Sequence, residues 1–349
     1  MPVARLLREA TVGETRWVAL DNLDRPVALY LERASDRGRA VIGDRITARV
    51  RKGDAAMGGV FVDLGAKGEA FLRLKSGETL TEGASVAVEV AAEARRGKLA
   101  RVRLADDPST DGHGPARWAV QLAGGASAPL EDRHPGDMDI QSAFEDALAQ
   151  GVTLEGGGRL HLQRTEALVA VDIDTAGRSS RGGRAANALA VNLAAAAELA
   201  RQIHLRGWGG LAVLDCVAPI DKTAGGQVRA AFLEAFRGIS SRQVKALDPS
   251  AFGLMEISAD WAQAPLGDRL LEAGGTPLPE TVALDGLRRL EARAREVRMG
   301  RLELRLPSAA YGWLSASGLD APGQLAEKYG ARLAVLPGDA YTAEVRAVP

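Results

Sequence analysis

Cysteine is nearly absent: Cys216 is the one thiol, which excludes an internal disulfide and any cysteine-based zinc knuckle. That usage fits a reducing compartment. Aromatic residues supply 4% of the chain, so its cores must be built from Leu, Val and Ala, which the 46% hydrophobic share permits. An excess of one charge is missing too. Lys and Arg number 44 against 45 Asp and Glu, and the net charge of −1 excludes a global field drawing nucleic acid or an acidic membrane. A polyanion must therefore meet a local basic patch. No apolar run approaches about 18 residues. The opening segment MPVARLLREATVGETRW lacks the apolar core of a signal peptide. A soluble, cytoplasmic protein without membrane contact is expected. His113, His134, His161 and His204 have no metal-ligand spacing, so no zinc is expected. No P-loop occurs, and the glycines of 207–210 follow a helical pattern instead of a strand, so they are no dinucleotide fingerprint.

A chain of 349 residues fits roughly two or three domains. Short strands are predicted at 17–20 and 26–31. Between 41 and 104, alternating runs at 45–50, 59–64, 70–72, 85–90 and 99–104 are separated by glycine-bearing turns. They predict a small closed barrel, with an OB-fold as its first form. Residues 105–137, rich in Pro, Gly and Asp, read as a loop or truncated subdomain. A helix at 140–149 and a hairpin through 156–158 follow. Residues 168–174 read as a strand, 175–183 as a basic loop, 184–206 as a long Ala/Leu helix and 211–215 as a second strand. This is a βαβ unit with parallel strands. A helix at 226–237 and a strand at 252–257 continue the α/β pattern. Residues 262–280 read as a linker, before a helix at 281–298 and strands near 301–306, 331–335 and 343–348.

Side chains alternate along a strand, so Asp172 and Asp174 point the same way. Asp215 ends the second parallel strand, and open α/β folds place their sites at that sheet edge. Three carboxylates are thus expected to converge. Two like charges about 4 Å apart repel by about 4 kcal/mol at an effective dielectric near 20, so the cluster calls for a cation or a proton. Oxygen ligands favour magnesium, or manganese, over zinc. Such an ion would orient a water, polarise a phosphodiester and stabilise the leaving oxygen. Arg178 and Arg181 in the adjacent loop suit phosphate contact. Taken singly, each strand-end Asp also reads as a turn cap. Phe61 and Phe71 either stack bases or fill the barrel core, in a region made basic by Arg49, Arg73, Arg95, Arg96 and Lys98 among others. Cys216 reads as a buried strand residue.

The stretches TEALVAVDIDTAGRSSRGG (165–183), VNLAAAAELARQIHLRGWGGLAVLD (191–215) and FGLMEIS (252–258) resemble the ribonuclease E/G family, as do the barrel phrases GGVFVDLG and GEAFLRL. The likeness covers most of the chain in order. It implies an α/β multidomain protein. An S1-like OB β-barrel (37–104) is inserted near the N-terminus in a reduced RNase H-like subdomain (1–36 and 105–143). A DNase I-like α/β catalytic domain (144–260), a linker (261–280) and a small C-terminal α+β domain (281–349) follow. The implied activity is a magnesium-dependent endoribonuclease, a phosphodiester hydrolase for single-stranded RNA in RNA processing or decay. By motif, Asp172 and Asp215 fall on the magnesium-binding aspartates and Asp174 on a catalytic-site Asn. Phe61 and Phe71 fall on RNA-stacking aromatics, and Lys98, Arg178 and Arg181 are further RNA-binding candidates.

The sequence departs from the family's pattern at several points. Asp174 adds a charge, Ala251 stands where Arg usually precedes Phe-Gly-Leu, and Ala259-Asp260-Trp261 replace basic residues. Residues 105–143 are too short for the family's complete 5′-end sensor, so cleavage independent of the 5′ phosphate is expected. No Cys-Pro-x-Cys zinc link follows, so a monomer is expected ahead of a zinc-free dimer. The rival expectations are an RNA-binding protein without turnover and a metal-dependent nuclease for DNA.

Overall fold

In the computed structural model, residues 3–107, 118, 122, 128–178 and 182–348 are described; Arg117, Ser179, Ser180 and Arg181 lie outside them. Strands Arg5–Thr11 (β1), Glu14–Leu20 (β2) and Pro26–Arg33 (β3) form an antiparallel meander, and Leu130–Arg133 later joins β1 in parallel. Both faces of this sheet are covered. Leu7, Val18 and Leu31 pack on Ile140 and Phe144, whereas Leu6, Trp17 and Ala28 pack on Trp118. Double burial explains why β2 is buried almost continuously instead of alternating.

Arg45–Asp54 (β4), Gly59–Asp63 (β5), Glu69–Arg73 (β6), Ser85–Ala92 (β7) and Ala100–Leu104 (β8) close into the expected barrel, ordered β4-β5-β6-β8-β7. Alternation sends Val60, Val62, Leu72, Val88 and Val102 inward. Leu130–Arg133 is β9, and Met138–Asp146 (α1) begins where the Asp137 side chain accepts the N–H groups of Asp139 and Ile140.

The sheet that carries the aspartates has the order β10-β11-β12-β13-β15-β14. Its strands are Gly151–Thr153 (β10), Arg159–Arg164 (β11), Leu168–Asp174 (β12), Gly210–Asp215 (β13), Val244–Ala246 (β14) and Leu254–Ala259 (β15). Helix Arg184–Leu205 (α2) crosses from β12 to β13, which pair in parallel as the βαβ pattern requires. With Lys222–Arg237 (α3) it covers one face, where Ala195, Leu199, Phe232 and Phe236 close on Val171, Leu214 and Ile257. The opposite face is open, with Asp172, Leu211, Asp215, Leu254 and Glu256 exposed on it.

The stretch read as a linker is packed chain. Within it Leu266–Leu270 (α4) places Leu266 and Leu270 beside Leu205 in the core under the first sheet. A helix of 5 residues is too short for its periodicity to register in the sequence. Pro279–Glu296 (α5), Arg301–Pro307 (β16), Ser308–Ala316 (α6), Ala321–Tyr329 (α7), Leu333–Gly338 (β17) and Glu344–Val348 (β18) complete the chain, with sheet order β17-β16-β18. Buried charge ties this unit to the first sheet. Glu14 accepts from Arg16, Arg33 and Arg288 at 2.7, 2.8 and 2.9 Å. Burial alone would raise the Glu14 carboxyl, but the guanidiniums of Arg16, Arg33 and Arg288 hold it down at about 2. Among the described residues no helix is long and apolar enough to cross a membrane.

Candidate functional site

In the parallel register Val171 stands opposite Leu214, so Asp172 and Asp215 are the next residues of the two strands. Neighbouring strands run about 4.8 Å apart and residues at one level share a face. Both aspartates are exposed on the open face, at the carboxyl end of the parallel pair. On either side of them, His161 of β11 stands opposite Asp172 and Leu254 of β15 opposite Asp215.

The expected convergence of three carboxylates does not occur. β13 ends at Asp215 and leaves no residue beside Asp174, whose Oδ1 instead accepts the Ala176 N–H at 2.9 Å. Asp174 is a turn cap. Among the described residues no three His, Cys, Asp or Glu side chains are grouped to hold one ion. The site is a pair.

The loop after Asp215 is pinned from two sides. Asn192 of α2, fully buried, donates to the Val217 carbonyl at 2.9 Å and accepts the Val217 N–H at 2.8 Å. The Cys216 N–H donates to the Gly253 carbonyl at 3.0 Å. Gly253 adopts φ +82°, a conformation that favours glycine, and a Cβ there would stand 3.2 Å from the Cys216 carbonyl. The Cys216 thiol is buried as expected; burial, then the Asp215 charge, pushes it up to about 11. It is no nucleophile at neutral pH. Phe252, of the Phe-Gly-Leu stretch, is 87% exposed just before Gly253. Sequence reasoning missed His161, because the facing of a hairpin strand depends on a register that the sequence does not state.

Phe61 and Phe71 are cross-strand partners on β5 and β6, half-buried on the outer surface of the barrel, with ring centroids 5.4 Å apart and edge-on. They are not barrel core. Gly59 makes room for them, since a Cβ there would lie 2.6 Å from Phe71 Cζ. Lys98 is exposed at the end of the tight Arg95–Lys98 turn. Arg178 is partly committed elsewhere: its Nη1 donates to the carbonyls of Glu155 at 3.1 Å and Gly157 at 2.9 Å, which staples the loop to the β10–β11 hairpin. Arg181 lies outside the described residues. Gly209 and Gly210 seat Trp261, because a Cβ on Gly209 would lie 2.8 Å from the indole ring. Arg95 of the barrel lies over that ring at 4.2 Å, and this contact joins barrel to sheet.

Residues 129–261, the span holding both aspartates, match the family described as Ribonuclease E/G family. Ribonuclease E of Haemophilus influenzae is 31% identical over 210 residues, 58% of this chain and 22% of that protein. Ribonuclease E of Escherichia coli is 35% identical over 163 residues, 44% of this chain and 15% of that protein. Within this chain, residues 129–261 are similar to the ribonuclease E/G family. The Ribonuclease E/G-like protein, chloroplastic, of Arabidopsis thaliana adds 36% identity over 124 residues, 34% of this chain and 12% of that one. The chain aligns with only 12% to 22% of the length of these relatives.

Proposed function

We propose that this chain is a divalent-metal-dependent endoribonuclease acting on single-stranded RNA. The observation that carries the reading is the register of Asp172 and Asp215, two carboxylates at one level of a parallel pair and open to solvent. That donor set fits a hard cation. Magnesium takes one or two carboxylates and keeps several of its own waters. Asp172 and Asp215 would hold the ion, and manganese is the alternative; when bound it supplies a polarised phosphodiester and an acidified water. Asn192 and Gly253 keep the Asp215 strand end in place. Asp174 holds the turn that precedes Arg178, and Arg178 and Arg181 contact phosphate in this reading. Phe61 and Phe71 stack bases of the bound strand, with Lys98 on its backbone. The barrel acts as an S1-like module and the six-stranded sheet as a DNase I-like catalytic layer. The protomer works alone and without zinc.

Cleavage is independent of the 5′ phosphate in this reading. Arg133, in the segment read as too short for a sensor, is tied to Glu131 at 3.0 Å and to Asp137 at 3.7 Å. A second reading, RNA binding without turnover, is favoured by Ala251 in place of the family's usual Arg. An A/U-rich single-stranded oligoribonucleotide, incubated with magnesium or with chelator, separates the two. Internal cuts only with magnesium support the enzyme. Tight binding without cuts supports the second reading.

A further inference from the structure

We infer that the open face of β11 is the track for the RNA backbone, with Arg159, His161 and Gln163 holding its phosphates beside the Asp172–Asp215 pair. The inference depends on the reading of this site as one for single-stranded RNA. All three residues are exposed and alternate with the buried Leu160 and Leu162, so they share the open face. At about 3.3 Å per residue they form a row of donors with a spacing of about 6.6 Å. None of the three has a side-chain hydrogen bond or ion pair among the described residues.

Arg159 is the telling case. Its cross-strand partner is Asp174, the opposite charge, yet no ion pair joins them. Asp174 caps its own turn, and the guanidinium lies over Gly151, where a Cβ would come within 2.6 Å of Arg159 Nη2. A bare glycine thus gives the Arg159 side chain its place without neutralising it. Charge is segregated by strand on this face. β11 offers donors, β12, β13 and β15 carry Asp172, Asp215 and Glu256, and Leu168, Ala170, Leu211 and Val213 fill the ground between. A ligand with a polyanionic edge and flat apolar groups matches that division.

Beyond Gln163 the strand reaches the barrel. There Arg95 of the barrel lies over the Trp261 ring at 4.2 Å, while Arg164, on the other face of β11, is paired with Asp268 at 2.8 Å. Arg95 Nη1 is buried without a hydrogen-bond partner. Burial, then the like charges of Arg101 and Arg164, lowers the Arg95 guanidinium. Arg101 is in turn the cross-strand partner of Phe71. Asp268 compensates Arg164 and Arg96 here, which leaves Arg95 as a cation at this end with a guanidinium nitrogen left for a phosphate to pair.

The test is fluorescence anisotropy of a labelled single-stranded oligoribonucleotide in chelator, so that binding is read without cleavage, across a series of salt concentrations. Arg159→Ala should reduce the slope of log affinity against log salt by about 0.7, the value of one phosphate contact on a single strand. Arg159→Lys should restore that slope. The triple variant Arg159→Ala, His161→Ala and Gln163→Ala should bind at least about tenfold more weakly, with an unchanged melting temperature because all three side chains are exposed. Wild-type affinity and slope in these variants, with wild-type cleavage intact, would overturn the track and leave the enzyme reading standing. Wild-type protein that neither binds nor cuts the RNA would remove both. Equal binding of an acidic peptide of matched charge would overturn RNA as the occupant.

Discussion

Phe61 and Phe71 show how one glycine decides what a side chain does. With a Cβ at position 59 the Phe71 ring would be displaced, and the edge-on pair on the barrel surface would be lost. Because that pair is half-buried, Phe61→Ala should weaken RNA binding by about 1–3 kcal/mol while lowering stability by no more than the aromatic pair supplies, about 0.5–1.5 kcal/mol. Titration of a labelled oligoribonucleotide alongside thermal melts separates the two effects; a collapse of stability with unchanged affinity would return both rings to a packing role. Asp174 poses the opposite case, a charged residue whose carboxylate is occupied locally. An Asn side chain offers the same carbonyl oxygen to the Ala176 N–H, so Asp174→Asn should keep its cleavage rate. An inactive Asp174→Asn variant would mean that the third carboxylate acts directly.

At the scale of elements, β12, α2 and β13 were legible because period-2 and period-3.6 patterns follow each other over long runs. The barrel strands were legible for a related reason, since glycine turns punctuate short alternations. β14 and α4 were not, at 3 and 5 residues. The pairing of Asp172 with Asp215 was readable from the parallel crossover, but the turn that engages Asp174 was not. Whether Asp174 has a neighbour depends on where β13 stops, and the sequence continues apolar through Cys216 and Val217. The Asn192 clamp lay hidden for another reason: a polar residue within an Ala/Leu helix reads as exposed until a partner is seen. Asn192→Ala would leave the N–H and C=O of Val217 unpaired, costing about 1–3 kcal/mol. It should lower kcat more than it raises KM, because the loop it holds orients Asp215. Steady-state cleavage kinetics with chemical denaturation check this; unchanged kcat would reduce the clamp to a stability device.

At the scale of the whole molecule, the ion network around Glu14 joins the first sheet to the C-terminal unit. Its carboxyl is held at about 2 against an ordinary value of 4.5. A depressed carboxylate stabilises fully above the unfolded value, and the contribution is lost as pH falls from about 4.5 toward 2. Glu14→Gln leaves three buried guanidiniums without that counter-charge and should cost about 3–5 kcal/mol at neutral pH. It should also flatten the acid limb of the melting-temperature profile. A profile identical to wild type would show that the Glu14 network does not hold the units together. In the proposed reading the chemistry falls to two exposed side chains, Asp172 and Asp215. Exposed aspartates add little to folding, so their variants report on function. The direct measurement is internal cleavage of single-stranded RNA in magnesium by wild type, Asp172→Ala and Asp215→Ala, with RNA affinity measured in parallel. The account predicts that both variants bind RNA, melt at the wild-type temperature and make no cuts; wild-type cutting by either would contradict it.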